Sequence, residues 1–289
     1  MRTVPASKLS IALAAGTLAA ATGLANAELV YGVTSNQFLV TFDSATPGTV
    51  QSGAALSGLQ QNEQILGIDF RPATGQLYAL GSTSRLYTIN TNTGAASQVG
   101  PGPFANTLNG SSFGFDFNPT IDRIRVVSEA DQNLVLNPDT GGSTMVTSLF
   151  YPAGDANAGV NPNVVASAYT NSFAGATTTQ LYGIDSALDI LVTQANSAGT
   201  LGTVGPLNTD VTDLAGFDIS GSTGIAYAAV QNATLGRTTF WTVNLATGNA
   251  TMVGEIGGGS LIGSIAVIPA PATGALALAG LLVATRRRR

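Results

Sequence analysis

The run Leu66-Gly67-Ile68-Asp69-Phe70-Arg71-Pro72-Ala73-Thr74-Gly75-Gln76-Leu77-Tyr78-Ala79-Leu80 decides the architecture. Leu66 to Phe70 and Gln76 to Leu80 are short apolar and aromatic stretches, and the residues between them are turn formers, so the segment reads as a hairpin. The pattern returns three more times. Its first strand recurs as Phe113-Gly114-Phe115-Asp116-Phe117, Ala166-Ser167-Ala168-Tyr169-Thr170 and Ala215-Gly216-Phe217-Asp218-Ile219. Its second recurs in Arg123 to Ser128, Gln180 to Ile184 and Ile225 to Val230. A third strand follows, as in Arg85 to Asn90 or Phe240 to Asn244. A Thr-Gly turn (Thr93-Gly94, Thr140-Gly141, Thr247-Gly248) then leads to a short fourth, as in Ala95 to Val99. Aligning Asp69, Asp116, Tyr169 and Asp218 gives spacings of 47, 53 and 49 residues, and four strands per period of that length is the pattern of propeller blades.

The leftover ends complete a fifth copy. Leu261 to Val267 matches a first strand, with Gly263 in the Gly67 position, while Leu29 to Val33, Phe38 to Phe42 and Thr49 to Gln51 match strands two, three and four. Pairing them closes a ring and removes exposed sheet edges. The expected fold is therefore all-β: a five-bladed propeller of four-stranded antiparallel blades over residues 28–268.

Both termini read as addresses. Residues 1–27 have a basic start (Arg2, Lys8), an apolar middle from Leu9 to Ala21 and the small-residue triplet Ala25-Asn26-Ala27. That is a secretory signal peptide, cut by signal peptidase after Ala27. Residues 269–289 begin Pro269-Ala270-Pro271, continue through an apolar stretch from Ala272 to Thr285 and end in Arg286, Arg287, Arg288 and Arg289. The stretch is shorter than the ~20 residues of a stable span, so it anchors the chain only transiently, with the arginines on the cytoplasmic side. This tail resembles the PEP-CTERM sorting signal, although Ala270 stands where that signal usually has Glu. The resemblance implies removal by an exosortase-like enzyme in a Gram-negative bacterium, and with it an extracellular or cell-surface location.

The repeat resembles a known family as well. The opening run, Gly114-Phe115-Asp116-Phe117-Asn118-Pro119, Asn137-Pro138-Asp139-Thr140-Gly141 and Ala153-Gly154-Asp155-Ala156-Asn157-Ala158-Gly159 are similar to an exported bacterial family known only as a domain of unknown function. The similarity extends over nearly all of residues 29–268. It implies fold and export, and no activity.

Composition excludes several chemistries. The sequence has no histidine and no cysteine, so serine triads, His-based zinc sites, thiolate sites and disulfides are all absent. Within residues 28–268, Arg71, Arg85, Arg123, Arg125 and Arg237 oppose all sixteen acids, a net −11. Such a body repels phosphate backbones and excludes nucleic acid as a partner.

Three sets of carboxylates remain. Asp139-Thr140-Gly141 mimics an aspartic-protease loop, but only one copy exists and it aligns with the Gly turns, so it reads as a turn. Asp69, Asp116 and Asp218 recur on the strand expected to line the channel. Five-bladed glycosidases carry carboxylates there, but recurrence with the repeat argues for structural hydrogen bonds to each Asp's own turn and to the neighbouring blade. The third set lies on the face formed by the strand two–three loops and the blade-to-blade connections. It comprises Glu63, Glu129, Asp131, Asp155, Asp185, Asp189, Asp210, Asp213 and Glu255, against Arg237. Asp155, Asn157, Asp185 and Asp189 are the candidate binding residues, with Asp155 and Asn157 offering the hard oxygens calcium takes. Calcium is the only cofactor considered, and no catalytic residue is assigned. The leading reading is a non-enzymatic envelope protein that presents this face to a glycan or another protein. The alternative is an extracellular glycan hydrolase or lyase acting through the channel aspartates, or a calcium-dependent hydrolase acting through the acidic face.

Overall fold

A computed structural model describes residues 27–232, 236–259 and 261–268. Residues 1–26 of the expected signal peptide (1–27) and the expected sorting tail from Pro269 to Arg289 lie outside the described residues. Strands β1 (Leu29–Thr34), β2 (Phe38–Asp43) and β3 (Thr46–Ala55) open the fold. Blade two is β4 (Ile65–Phe70), β5 (Leu77–Gly81), β6 (Arg85–Ile89) and β7 (Ala96–Val99). Blade three is β8 (Phe113–Asn118), β9 (Arg123–Ser128), β10 (Asn133–Leu136) and β11 (Ser143–Met145). Blade four is β12 (Val164–Tyr169), β13 (Leu181–Asp185), β14 (Ile190–Gln194) and β15 (Leu201–Pro206). Blade five is β16 (Ala215–Ile219), β17 (Ala226–Asn232), β18 (Arg237–Val243) and β19 (Ala250–Glu255), and β20 (Ile262–Val267) ends the described chain.

Each blade is one antiparallel four-stranded sheet, and β20 pairs with β1 to complete blade one. The ring closes as the leftover ends required, with Val30 opposite Val267 and Gly32 opposite Ile265. Strand β3 is longer than the expected Thr49 to Gln51. Its extra residues are small and mostly exposed, which hides them from a hydrophobic reading, and its pairing with β2 is irregular at Phe42.

Among the described residues the core resolves into five clusters, one between each pair of neighbouring blades. Blades two and three, for example, bury Leu80 and Leu86 against Phe115, Phe117 and Val126. The inner-strand glycines allow this close stacking. A Cβ on Gly67 would lie 2.5 Å from the Phe115 Cβ, and one on Gly216 would lie 2.8 Å from the Ile265 backbone nitrogen.

Pairing corrects the alignment of two blades by one residue. Asp69, Asp116 and Asp218 lie opposite Tyr78, Arg125 and Tyr227, and the equivalents opposite Tyr182 and Tyr31 are Ala168 and Ala266. Ala168 therefore takes the place expected for Tyr169, and Ser264 rather than Gly263 stands at the Gly67 position. Strand β12 has neither the Gly nor the Asp that marks the register elsewhere; its irregularity between Val164 and Ala166 matches the one between Ile65 and Gly67 in β4.

A side-chain clamp reinforces the closure. The Glu28 carboxylate accepts hydrogen bonds from Ser220 Oγ (2.5 Å), Ser222 Oγ (2.5 Å), Thr223 Oγ1 (3.0 Å) and Tyr227 OH (2.8 Å), all of blade five. Glu28→Ala is expected to lower stability by about 1–3 kcal/mol, because it strands the part-buried hydroxyls of Ser220 and Tyr227. Denaturant unfolding measures this, and an unchanged midpoint would remove the clamp from the account.

Candidate functional site at the propeller axis

Each innermost strand has one edge without a strand partner, and buried backbone N–H groups there need acceptors. Three carboxylates supply them. Asp69 accepts from Phe70 N through Oδ1 (2.6 Å) and from Phe117 N through Oδ2 (2.7 Å). Asp116 accepts from Tyr169 N through Oδ1 (3.0 Å). Asp218 accepts from Ile219 N (2.6 Å) and Val267 N (2.5 Å). The five amides Phe70, Phe117, Tyr169, Ile219 and Val267 form one layer around the axis, one from each blade. Where the preceding blade offers Ala266 or Ala168, the strand's own aspartate serves instead. The bonds thus run to the next blade, as the sequence suggested, and within the strand rather than to each Asp's own turn.

The three carboxylates converge, with oxygens within 4.8 Å of one another, and each residue is only 2% exposed. Burial raises all three pKa values. The Asp218 charge adds to the rise at Asp69, and the Asp69 and Asp218 charges add to it at Asp116; both are held well above the usual carboxylate range, and Asp218 is pushed up to about 7. Proton sharing of this kind is also found in acid–base pairs. Here, however, five of the six oxygens already hold amides, and the void between Gly114, Ser167, Gly216 and Ser264 is about 10 Å³, room for at most one water.

The opposite end of the axis is open. A funnel of about 320 Å³ leads in from the face carrying the strand two–three loops and the blade-to-blade connections. Buried Val33, Phe113, Val165 and Ala215 and part-buried Leu66 and Leu214 give it an apolar floor, and hydroxyls and amides line its rim. Sequence reading missed this site. A signal was present: three residues before the inner-strand glycine stand Gln64, Ser111 and Asp213, each at the rim.

Most acids expected to crowd this face tie loops down instead. Asp155 accepts from Thr203 N (2.8 Å), Thr203 Oγ1 (2.7 Å) and Asn157 N (2.8 Å), and Asn157 Nδ2 donates to Thr203 Oγ1 (2.8 Å). Asp185 is fully buried and accepts from Tyr151 OH (2.7 Å) and the amides of Asn163, Ala187 and Leu188. Asp189 accepts from Val211 N (2.8 Å). Glu63 accepts from Thr83 and Tyr87, and Glu129 from Ser111 and Ser112. Asp155, Asp185 and Asp189 do not converge on one point; among the described residues the axial aspartates are the only such acidic group. Asp139, in the Thr-Gly turn, joins Asp122 in pairing with Arg71 across blades.

A family described as a domain of unknown function (DUF4394) matches residues 38–266. No curated protein matches this chain significantly. Solved structures similar in fold include a chain of the nidogen/laminin complex, at TM-score 0.51 and 12% identity, covering 85% of this chain and 100% of that one. Hydrazine synthase of Kuenenia stuttgartiensis matches at TM-score 0.41 and 10% identity over 71% of this chain; this chain spans 51% of that one. At 12% identity the likeness to the nidogen/laminin chain is one of fold alone.

Proposed function

We propose a function from one premise: this chain belongs to the family described as a domain of unknown function (DUF4394), whose match reaches all five blades. The protein is an exported, non-enzymatic binding module of the cell envelope, and its working surface is the face that carries the funnel. One observation carries this reading. The axial cavity large enough for a ligand is lined by a single carboxylate, Asp213, while the three carboxylates that converge, Asp69, Asp116 and Asp218, lie buried at the other end. An acid–base mechanism needs two such groups at the reacting bond.

The alternative, a glycan hydrolase or lyase using Asp69, Asp116 and Asp218, draws support from their raised pKa values. A glycan array and a polysaccharide degradation panel, each with and without calcium, separate the two. Retention without new chain ends is the expected result, and turnover would overturn the binding reading. Calcium at Asp155 and Asn157 would have to displace the Thr203 donors, so a calcium-dependent rise in melting temperature is the result that would establish it.

Export follows from the terminal signals. Signal peptidase leaves Glu28 as the first residue, and an exosortase-like enzyme removes the tail that starts at Pro269. The mature protein is then extracellular or on the cell surface. Mass spectrometry of the secreted and membrane fractions tests this, and intact termini on the exported protein would refute it.

A further inference from the structure

Resting on the binding-module reading, we infer that the funnel takes the end of an uncharged sugar chain, one ring deep. Its volume of about 320 Å³ is at the bottom of the ~300–1,000 Å³ range of small-molecule sites, which suits a single ring. Beyond the floor the axis narrows to the void of about 10 Å³, so a chain end can enter but a polymer cannot thread through.

The rim is fixed before any ligand arrives. Gln37 Oε1 accepts from Ile65 N (2.6 Å). The Glu129 carboxylate accepts from Ser111 N (2.6 Å) and Ser112 N (3.0 Å). Asp213 Oδ1 accepts from Asn163 Nδ2 (2.8 Å) and Ser186 Oγ (2.7 Å). Preorganisation of this kind lowers the ordering cost of binding. The groups left over include the Gln64 side-chain amide, the Ser112 hydroxyl and Asp213 Oδ2, which make no hydrogen bond among the described residues.

Those groups present acceptors and donors together, which a vicinal hydroxyl pair can satisfy from both sides. The apolar floor of Leu66, Phe113 and Val165 suits the C–H face of a sugar ring. Anions are disfavoured by Asp213 and by the net −11 of the body. An ammonium group would meet one carboxylate whose other oxygen already takes two donors, above a floor with no second charge.

The test titrates the purified full-length protein with neutral oligosaccharides and with their uronic-acid-ended and amino-sugar-ended counterparts, at low and high salt. Neutral ends are expected to bind, with affinity insensitive to salt. Asp213→Asn should weaken binding at least tenfold while leaving the melting temperature unchanged, because its amide oxygen still accepts from Asn163 and Ser186. Ser112→Tyr, which fills the funnel, should abolish binding. Preferential, salt-sensitive binding of either charged series would overturn the ligand class. Neutral-sugar binding unchanged by both substitutions would place the ligand elsewhere and sink this inference while leaving the binding module intact. Turnover of the oligosaccharides would sink the module reading itself.

Discussion

Asp116→Asn is expected to raise the melting temperature at neutral pH, and Asp69→Asn to lower it, although the two residues occupy equivalent places in adjacent blades. Asp69 accepts an amide through each oxygen, from Phe70 and Phe117. An asparagine can accept only through its single oxygen, so one buried N–H would face an NH₂ group, at a cost of about 1–3 kcal/mol or more. Asp116 uses one oxygen, for Tyr169. An asparagine there keeps that bond, points its NH₂ toward the neighbouring carboxylates and removes one of three converging like charges.

The same layer sets the pH dependence. All three aspartates have folded pKa values above the unfolded ones, so the folded state holds more protons. Their contribution is fully present below the unfolded value of 3.8 and is lost as pH rises through the folded values. For Asp218 that loss runs from 3.8 to about 7. Glu28 is shifted down by the hydroxyls that clamp it, in spite of its partial burial, so its contribution is present above the unfolded value and lost as pH falls below it. The windows overlap only between 3.8 and 4.5, the unfolded values of the aspartates and of Glu28, so stability should peak near pH 4. Melts at about pH 5 and about pH 8 should show the wild type losing stability at the higher pH, and Asp116→Asn losing less. Equal melting of wild type and Asp116→Asn at both values would show that the layer carries no strain.

Deleting β20 is expected to abolish cooperative unfolding. The strand contributes Ile262, Ile265 and Val267 to the cluster that joins blades five and one, together with Val30, Phe42 and Phe240. Each large apolar side chain there is worth about 1.5–3 kcal/mol of burial, and their sum rivals the ~5–15 kcal/mol total stability of a domain. Deletion also takes the Val267 amide from Asp218 and the Ser264 hydroxyl from Ile68 N. A permuted chain that carries residues 261–268 ahead of Glu28, joined by a short hairpin, restores the sheet order β20-β1-β2-β3 and should melt like the parent. A truncated protein that kept the parental transition would show that blade one does not need its fourth strand.

The extent of what could be read from sequence follows from the range of each interaction. Strand alternation, the Thr-Gly turns and the Gly-x-Asp spacing are local, so the run around Gly67 and its copies were enough for blade number, strand order and closure. Where the local marks are missing, as in β12, alignment slipped by one residue and Tyr169 was taken for the position that Ala168 holds.

The functional surface depended on contacts the repeat cannot encode. Sequence identified Asp69, Asp116 and Asp218 as recurrent, but their convergence depends on inner strands from three blades meeting at one axis. The acids of the opposite face looked like an open cation site, yet Asp155, Asp185 and Glu129 spend their oxygens on backbone and hydroxyl groups, several of them in distant loops. A periodic sequence fixes which residues share a layer; which hydrogen-bond partner reaches each of them, and what space is left between them, is settled only when blades some fifty residues apart pack around the axis.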